Sequence, residues 1–298
     1  MGILGRGLVH NIQPMKLLSD CVPCTLSKVI RLVRDKTHDE DKVRKAVEEF
    51  LAVMSEPGIW DSPPMTLATR VYSRIRPIIG HEDFLREEKA RQNQQALKLL
   101  HSAKDWVLRG DDPLHRAILL SVIGNIIDLG ARPDYDLDST LRSITQKGFA
   151  RDDYPLLKQR LSSAKSLMLI ADNAGEIVFD LFFLSLVDVP EKILSVRAKP
   201  YLNDATEKDI ESLPYTEGLR VINPGADTLG VMLDQVSKEF MELFKRVDVV
   251  IAKGQANLES LDNNGIRDIF FATMIKCQPL ADIMGVDKDS ALLFHQAP

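Results

Sequence analysis

The second half of the chain repeats one pattern: a short apolar run, then turn-forming or polar residues, then helical spacing. The runs lie in the segments SLMLIADNAGEIVFDLFFL, KILSVRAK, GLRVINPGAD and VDVVIAKGQAN, and ALLFH is a further candidate strand near the end. Strands that alternate with helices favour βαβ units, in which the strands run parallel and ligands bind at their carboxyl ends. The pattern therefore predicts an α/β fold with a mostly parallel sheet, beginning with a strand over 166–171.

The first half of the chain has a helical pattern instead. Apolar residues recur at helical spacing, with charged residues between them, over 41–54, 63–79 and 82–108. The segment 113–129 is almost wholly apolar, which is typical of a buried central helix. We therefore predict two domains, a helical N-terminal domain over residues 1–150 and an α/β domain over residues 151–298.

The composition excludes several classes of protein. The formal net charge is −5, whereas a nucleic-acid-binding protein normally has a surplus of basic residues, so we predict no nucleic-acid partner. No apolar run approaches the roughly 18 residues that a membrane span needs, and no early apolar stretch resembles a signal peptide. We expect a cytoplasmic protein with no membrane contact and no obligate protein partner.

The first polar motif is ADNAGE, which follows the predicted strand 166–171. Asp172 and Asn173 supply a carboxylate and a carboxamide, and hard divalent cations prefer such oxygen ligands. One carboxylate with neutral oxygens also leaves coordination positions for water and for a substrate phosphate. Gly175 allows a close turn into the next helix, whose N–H groups could face an anion. The alternative is that Asp172 or Asn173 only caps that helix.

The second polar motif, KPYLNDAT, follows the next predicted strand. Neighbouring parallel strands end at the same edge of a sheet, so Asp204 could lie near Asp172. Two carboxylates in close contact repel each other unless a cation or a proton compensates their charge. The alternative is again helix capping, for which Asn203, Asp204 and Thr206 are all suitable.

The third polar motif, KGQANLE, follows the strand candidate VDVVIA. A lysine and a glycine at a strand end, followed by amides and a carboxylate, suit the recognition of an oxyanion and of polar substrate groups. The candidate residues of this motif are Lys253, Gln255, Asn257 and Glu259. Lys276, in the later segment MIKCQPLADIMGV, is a further candidate for a phosphate contact, although a lone lysine is more often a surface residue.

Two polar residues interrupt the apolar segment 113–129. Asn125 and Asp128 share one face of a helix, and burying either side chain without partners costs several kcal/mol. They are therefore candidates to line a cleft between the two halves of the chain. The alternative is a polar cluster at the end of the helix, near Gly130.

The chain has three cysteines, a low and odd number that does not fit a secreted disulfide framework. Cys21 and Cys24 form a CxxC motif, but a structural zinc site generally needs four ligands and no second such motif is present. Cys277 could be a third ligand, and the fourth would still be missing. Since the motif begins a helical region, a packing role or a redox-sensitive pair fits it better than a thioredoxin-like site.

Six segments of the chain, taken in order, resemble the damage-control phosphatase family, long known as domain of unknown function 89. They are CVPC, GNIID, ADNAGEIVFD, KPYLNDATEKD, KGQANLE and IKCQPLA. The resemblance is closest to the short prokaryotic, chiefly archaeal, branch that carries the CxxC motif. It runs from about Met15 to the C-terminus, so residues 1–14 precede the usual start of the family and Met15 is an alternative initiator.

The resemblance implies a helical N-terminal region attached to a Rossmann-like α/β domain. It implies a divalent metal (Mn, Co, Ni or Mg) on Asp172, Asn173 and Asp204. It also implies phosphatase activity on small phosphomonoesters, such as sugar phosphates or damaged cofactor intermediates. The expected partner is therefore a small phosphorylated metabolite. The RTxK-type motif of the sugar-phosphate branch is not evident in this chain, which leaves the substrate open.

Roles for individual residues follow from the motifs and the resemblance together. We expect catalysis to depend on Asp172, Asn173, Asp204 and Lys253. Both water and Asp172 are candidates for the nucleophile, and we favour water. The residues that we expect to contact the substrate are Asn125, Asp128, Glu176, Asn203, Lys253, Gln255, Asn257, Glu259 and Lys276.

Two other functions remain open from the sequence. A Rossmann-like sheet is compatible with S-adenosylmethionine-dependent methyl transfer, an activity attributed to a eukaryotic relative, but no good glycine-rich loop follows the first strand of the α/β half. A non-catalytic metal- or metabolite-binding protein would bind a metal and a phosphate ligand without turnover. Binding of the methyl donor in the absence of metal would favour the first alternative.

Overall fold

A computed structural model describes residues 15–80, 83–124 and 146–298 of the chain. Two predicted site residues, Asn125 and Asp128, lie outside the described residues, as does the predicted helix end near Gly130. Within the described residues the chain forms eleven α-helices and a single sheet of seven strands. The α/β class predicted from the sequence is therefore confirmed.

Five helices fill the first half of the described chain. They are α1 (Cys21–Thr37), α2 (Glu40–Met54), α3 (Pro64–Ile79), α4 (Arg86–Leu108) and α5 (Pro113–Ile123), and a short 3₁₀ helix spans Ile59–Asp61. The side chain of Asp39 caps α2 by accepting hydrogen bonds from two backbone N–H groups. Gly80 ends α3 in the left-handed conformation that glycine adopts without strain. The predicted bounds of α2 and α3 are thereby confirmed to within one residue.

The sheet consists of strands that are mostly short and buried. They are β1 (Arg151–Asp152), β2 (Ser166–Ile170), β3 (Glu191–Ser195), β4 (Leu219–Ile222), β5 (Val249–Lys253), β6 (Ile269–Met274) and β7 (Ala291–Gln296). Their order is β1-β7-β6-β5-β2-β3-β4. All neighbouring strands pair in parallel except β6 and β7, which are antiparallel. The predicted, mostly parallel sheet is confirmed.

Six helices accompany these strands. They are α6 (Tyr154–Leu161), α7 (Glu176–Leu186), α8 (Glu207–Ile210), α9 (Lys238–Arg246), α10 (Gly254–Leu261) and α11 (Gln278–Met284). Helices cover both faces of the sheet, which explains why β2, β5 and β6 are apolar along almost their whole length. Among the described residues, no helix has both the length and the apolar character needed to cross a bilayer.

The described chain has three hydrophobic cores. On one face of the sheet, α4, α5, α6 and α7 pack together, and on the other face α9, α10 and α11 do so. The third core joins α1, α2 and α3 with Tyr201 and Leu229 from the α/β half. Because α4 and α5 precede residue 150 and yet pack on the sheet, the two halves share one core. The domain boundary near residue 150 stays a prediction.

The direction in which strands are added reverses beside β2. The chain places β3 and β4 on one side of β2, then crosses over to form β5 and β6 on its other side. In open α/β sheets such a reversal leaves a crevice at the carboxyl ends of the two central strands, where ligands bind. The loops after β2, β3, β5 and β6 carry most of the predicted site residues to this edge.

Candidate active site

Asp172 and Asn173 lie immediately beyond β2 and are buried, with 5% and 8% of their surface exposed. The Asn173 amide donates a hydrogen bond to Asp172 Oδ2 at 2.7 Å. The chain then turns at Gly175, which has a φ of 80° and precedes α7. Gly175 is the N-cap of α7, and among the described contacts neither Asp172 nor Asn173 accepts a side-chain hydrogen bond from the N–H groups of its first turn, so the alternative that either residue serves only as the cap is wrong.

The loop after β3 returns to this turn and brings a second carboxylate to it. Asn173 and Asp204 form an isolated antiparallel bridge, and the Ala205 N–H donates to the Asp172 carbonyl at 2.9 Å. Asp204 is buried, with 4% of its surface exposed. The structure therefore brings Asp204 beside Asp172, as two neighbouring strand ends allow.

Helix capping accounts for one residue of the second motif. Thr206 is the N-cap of α8, and its backbone N–H and hydroxyl donate to the Asp209 carboxylate at 2.8 and 2.6 Å. Asn203 lies before the cap, and its carbonyl accepts a hydrogen bond from the Ala174 N–H at 2.8 Å. The capping alternative is thus confirmed for Thr206 and is wrong for Asn203 and Asp204.

Arg197 is a buried partner of Asp204 that the sequence analysis missed. Its Nε donates to Asp204 Oδ2 at 2.7 Å, and its Nη2 donates to Asn257 Oδ1 at 3.0 Å. Asn257 is fully buried and donates to the carbonyls of Ala171 and Lys253. Through these contacts, Asn257 connects the ends of β2 and β5 to Arg197. Its contact with the substrate stays a prediction. The available signal for Arg197 was a charge directly after an apolar run.

Gly254 lies directly against the Asp172 carboxylate. It begins α10 with a φ of 77°, and a Cβ added to it would lie 2.0 Å from Asp172 Oδ2. A side chain at this position would displace the carboxylate, so the close approach requires glycine. The contact joins the carboxyl ends of β2 and β5, at the crevice where the strand order reverses.

Lys253 is fully buried between two carboxylates. Its Nζ donates to Glu176 Oε1 and to Asp180 Oδ1, both at 2.6 Å, and to the Ser121 carbonyl at 3.1 Å. The Ser121 hydroxyl also donates to Asp180 Oδ1, at 2.6 Å. Burial raises the pKa of Asp180 to about 6, although the Lys253 ammonium opposes this shift. Contacts of Lys253 and Glu176 with substrate stay predictions.

Gln255 links the remaining predicted residues to each other. Its side-chain nitrogen donates to Glu259 Oε1 at 2.6 Å and to Cys277 Sγ at 3.4 Å. Its side-chain oxygen accepts a hydrogen bond from the Lys276 N–H at 3.1 Å. Lys276 is exposed beyond β6, whereas Glu259 is buried. Of these residues, Lys276 is the one with an exposed cationic side chain at the site.

Electrostatics at the Asp172–Asp204 pair favour a compensating positive charge. The pKa of Asp172 is raised to about 8, chiefly by burial and also by Asp204 and Glu176, while Lys276 and Arg197 oppose the shift. Burial also raises the pKa of Asp204, against the effect of Arg197. Arg197 supplies one positive charge at Asp204, and a further cation or a bound proton would compensate the second carboxylate.

Helix α4 braces this site from the other half of the chain. Asn93 Oδ1 accepts a hydrogen bond from the Gly175 N–H at 2.6 Å, and its amide donates to the Asp209 carbonyl at 3.0 Å. One turn earlier, the buried Lys89 ammonium donates to Asp209 Oδ2 at 2.8 Å. Helix α4 thereby ties the turn after β2 to α8, the short helix that follows β3. No sequence signal indicated Asn93 or Lys89, because α4 is rich in polar residues throughout.

Comparison with known proteins identifies the family. The damage-control phosphatase ARMT1-like domain matches residues 17–292. The chain belongs to this family. A protein named damage-control phosphatase from Archaeoglobus fulgidus is 32% identical over 283 residues, which cover 92% of this chain and 96% of the relative. A damage-control phosphatase from Pyrococcus horikoshii is 29% identical over 279 residues, with 92% and 96% of the two chains covered.

The same relationship appears in three dimensions. The crystal structure of a protein of the domain of unknown function 89 family from Pyrococcus horikoshii superposes with a TM-score of 0.84. It is 28% identical to this chain, and the match covers 94% of this chain and 99% of that one. The resemblance to the damage-control phosphatases is therefore confirmed, and the family supports a phosphatase role for this chain.

The donor atoms at the site suit the divalent metal that the damage-control phosphatase resemblance implies. From the described residues, hydrogen bonds reach Oδ2 of Asp172 and of Asp204, and none reaches their Oδ1 atoms. These two Oδ1 atoms and the Asn173 amide oxygen are candidate ligands of the oxygen type that Mg²⁺ and Mn²⁺ prefer. No three His, Cys, Asp or Glu side chains within the described ranges are arranged to hold a metal, so a site here needs the Asn173 amide.

Proposed function

We propose that this chain is a divalent-metal-dependent phosphatase that hydrolyses small phosphomonoesters. The main support for the proposal is that two buried carboxylates, Asp172 and Asp204, lie close together at the carboxyl edge of the sheet. The exposed Lys276 lies near them. The family of damage-control phosphatases supports the same reaction class. The proposed substrates are sugar phosphates or damaged phosphorylated metabolites, including cofactor intermediates.

Each residue at the carboxyl edge has a distinct task in this proposal. Asp172, Asn173 and Asp204 would hold Mn, Co, Ni or Mg, and the cation would neutralise charge on the phosphate oxygens. Lys276 binds the phosphate as a compact point charge. Arg197 fixes Asp204 through Oδ2, which keeps Oδ1 available. We propose water as the nucleophile, with Asp172 serving as a ligand.

In place of the substrate contacts expected from the sequence, we propose that the fully buried Lys253 and Asn257 act indirectly, as positioning residues. Lys253 fixes Glu176 at the start of α7, where its carboxylate lies close enough to raise the pKa of Asp172. Asn257 holds Arg197 in place from the opposite side. Glu176 and the partly exposed Asn203 would contact the part of the substrate beyond the phosphate.

The test is phosphate release by metal-stripped protein. We would assay p-nitrophenyl phosphate and a panel of sugar and cofactor phosphates, adding back Mn, Co, Ni and Mg separately. We expect phosphate release that depends on added metal. The rates of release across the panel would then rank the substrates. Metal and phosphate binding without turnover would instead support a binding protein. Metal-free binding of S-adenosylmethionine would support methyl transfer.

Gly254→Ala tests the packing of Asp172. We expect a loss of phosphatase activity of about 100-fold, since a shift of about 1 Å in a catalytic group can have that effect. The new methyl group would overlap Asp172 Oδ2. The measurements are kcat and the metal concentration at half-maximal activity.

Gly265→Ala is the matched control for this variant. Gly265 also has a positive φ, of 65°, but a Cβ added to it meets nothing within 4 Å. The control therefore carries the backbone strain without the clash. Equal losses of activity in the two variants would show that the contact with Asp172 does not matter.

A further inference from the structure

All three cysteines of the chain come together, although Cys277 is far from the other two in sequence. Cys21 and Cys24 lie in the first turn of α1, and Cys277 immediately precedes α11. Both Cys24 and Cys277, together with Glu259, are close enough to Cys21 to influence its thiol. All three are free thiols, and Cys24 is exposed while the other two are partly buried. None of them has a task in the proposed phosphatase reaction.

A metal site does not explain this cluster. Three thiols and a carboxylate could in principle bind zinc. However, no three His, Cys, Asp or Glu side chains are arranged to hold a metal ion in the parts of the chain that contain this cluster. Cys277 is instead held by Gln255 of α10, whose amide donates to its sulfur at 3.4 Å. This hydrogen bond accounts for the position of Cys277, but it does not account for Cys21 and Cys24.

The positions of Cys21 and Cys24 suit a disulfide. They are three residues apart in one helical turn, and both face the same side of α1. Helix geometry separates the Cα atoms of such a pair by about 5 Å, inside the range of about 4.4–6.8 Å found across disulfides. The exposure of Cys24 gives an external disulfide access to one of the two sulfurs.

We propose that Cys21 and Cys24 form a reversible disulfide by exchange with a small disulfide such as oxidised glutathione. The Cys24 thiolate attacks one sulfur of the small molecule, whose S–S bond breaks, giving a mixed disulfide and one released thiolate. Cys21 then attacks the Cys24 sulfur, forms the Cys21–Cys24 bond and releases the second thiolate. The two cysteines lose two electrons to the small disulfide, and their two protons end on the two released thiols.

Glu259 is placed to assist the second attack. Its Oε1 accepts a hydrogen bond from Gln255, while its Oε2 is buried without a partner among the described residues. Burial raises the pKa of the Cys21 thiol, and Glu259, Cys277 and Cys24 add to the effect of burial. Cys21 therefore needs a nearby group to accept its proton when it attacks, and the free carboxylate oxygen is suited to this task.

The test is differential labelling of the reduced, full-length protein. The protein is equilibrated with mixtures of reduced and oxidised glutathione, quenched with acid and labelled with N-ethylmaleimide. Trypsin separates the peptide 17–28, which contains Cys21 and Cys24, from the peptide 277–288, which contains Cys277. We expect peptide 17–28 to lose both labels together as the share of oxidised glutathione rises. Peptide 277–288 keeps its label, and dithiothreitol restores the other two.

Two variants sharpen the result. Cys277→Ser should behave as the wild type does in peptide 17–28, whereas Cys24→Ser should lose the internal disulfide and leave Cys21 labelled or glutathione-bound. Because Cys24 is exposed, its replacement leaves the core intact, and thermal unfolding checks this. A cross-link between peptides 17–28 and 277–288 would overturn the proposal. So would full labelling of all three thiols under the most oxidising mixture, or zinc that co-purifies with the wild type and is absent from Cys24→Ser.

Discussion

Asp172→Asn is expected to reduce metal-dependent phosphate release by about 10³-fold or more. The variant keeps the shape of the side chain, and hence its packing on Gly254, but removes the charge that would hold the cation. Each tenfold change in rate corresponds to about 1.4 kcal/mol of activation free energy. Losing several kcal/mol of charge stabilisation therefore accounts for a reduction of this size. The measurement is kcat/KM with saturating metal, together with metal binding by equilibrium dialysis.

The matched control is Asp262→Asn, at the far end of α10. Asp262 is a half-buried carboxylate that accepts hydrogen bonds from Gln296 and Asn263, and it lies after the helix that begins at Gly254. We expect this variant to keep wild-type phosphate release. Retention of full activity by Asp172→Asn would refute the role of Asp172 as a metal ligand.

Lys253→Met is expected to lower the free energy of unfolding at pH 7 by about 3–5 kcal/mol, since it leaves buried carboxylates without their cation. The Lys253 ammonium has no exposed surface and contacts both Glu176 and Asp180. Denaturant unfolding measures the effect. The control is Asp180→Asn, which preserves the Lys253–Glu176 pair. It should lower the free energy of unfolding by less than Lys253→Met does. A smaller loss for Lys253→Met than for Asp180→Asn would contradict the assignment.

The cost of Lys253→Met should also depend on pH. Burial raises the pKa of Asp180 from 3.8 to about 6, so the folded state binds more protons than the unfolded state between these values. The contribution of Asp180 to the free energy of unfolding is therefore at its largest below about pH 4, and it is lost as the pH rises through about 6. The Lys253 ammonium lowers the pKa of Asp180. In Lys253→Met this pKa is therefore higher, and the loss of stability continues to higher pH. The difference between variant and wild type should be larger at pH 7 than at pH 5.

Much of the fold could be predicted because strands and helices alternate in the second half of the sequence. The strand β6 was nevertheless missed. Its sequence, IFFATM, is buried along its whole length, and a short apolar run of this kind cannot be distinguished from a buried helix by periodicity. The packing of α4 and α5 on the sheet was also missed, because local spacing does not report which face a helix will cover.

The proximity of Asp172 and Asp204 could be predicted from the ends of the strands, while their role as a site stays a prediction. Asp172 and Asp204 follow neighbouring parallel strands, so their proximity required only the correct order of the sheet. The partners of these residues come from elsewhere in the chain and depend on tertiary packing. Asn93 reaches Gly175 from α4, and Asp180 reaches Lys253 from the middle of the apolar helix α7. Neither contact leaves a local pattern in the sequence.

We propose that Asp172, Asn173 and Asp204 bind a divalent cation on which phosphate release depends. The most direct measurement is a Mn²⁺ titration of metal-free protein, with free Mn²⁺ followed by electron paramagnetic resonance and phosphate release assayed in the same samples. We predict that release rises in proportion to bound Mn²⁺ and saturates with it, and that Asp172→Asn neither binds the ion nor releases phosphate. Full release before Mn²⁺ is added, or equal binding and release by Asp172→Asn, would contradict the claim.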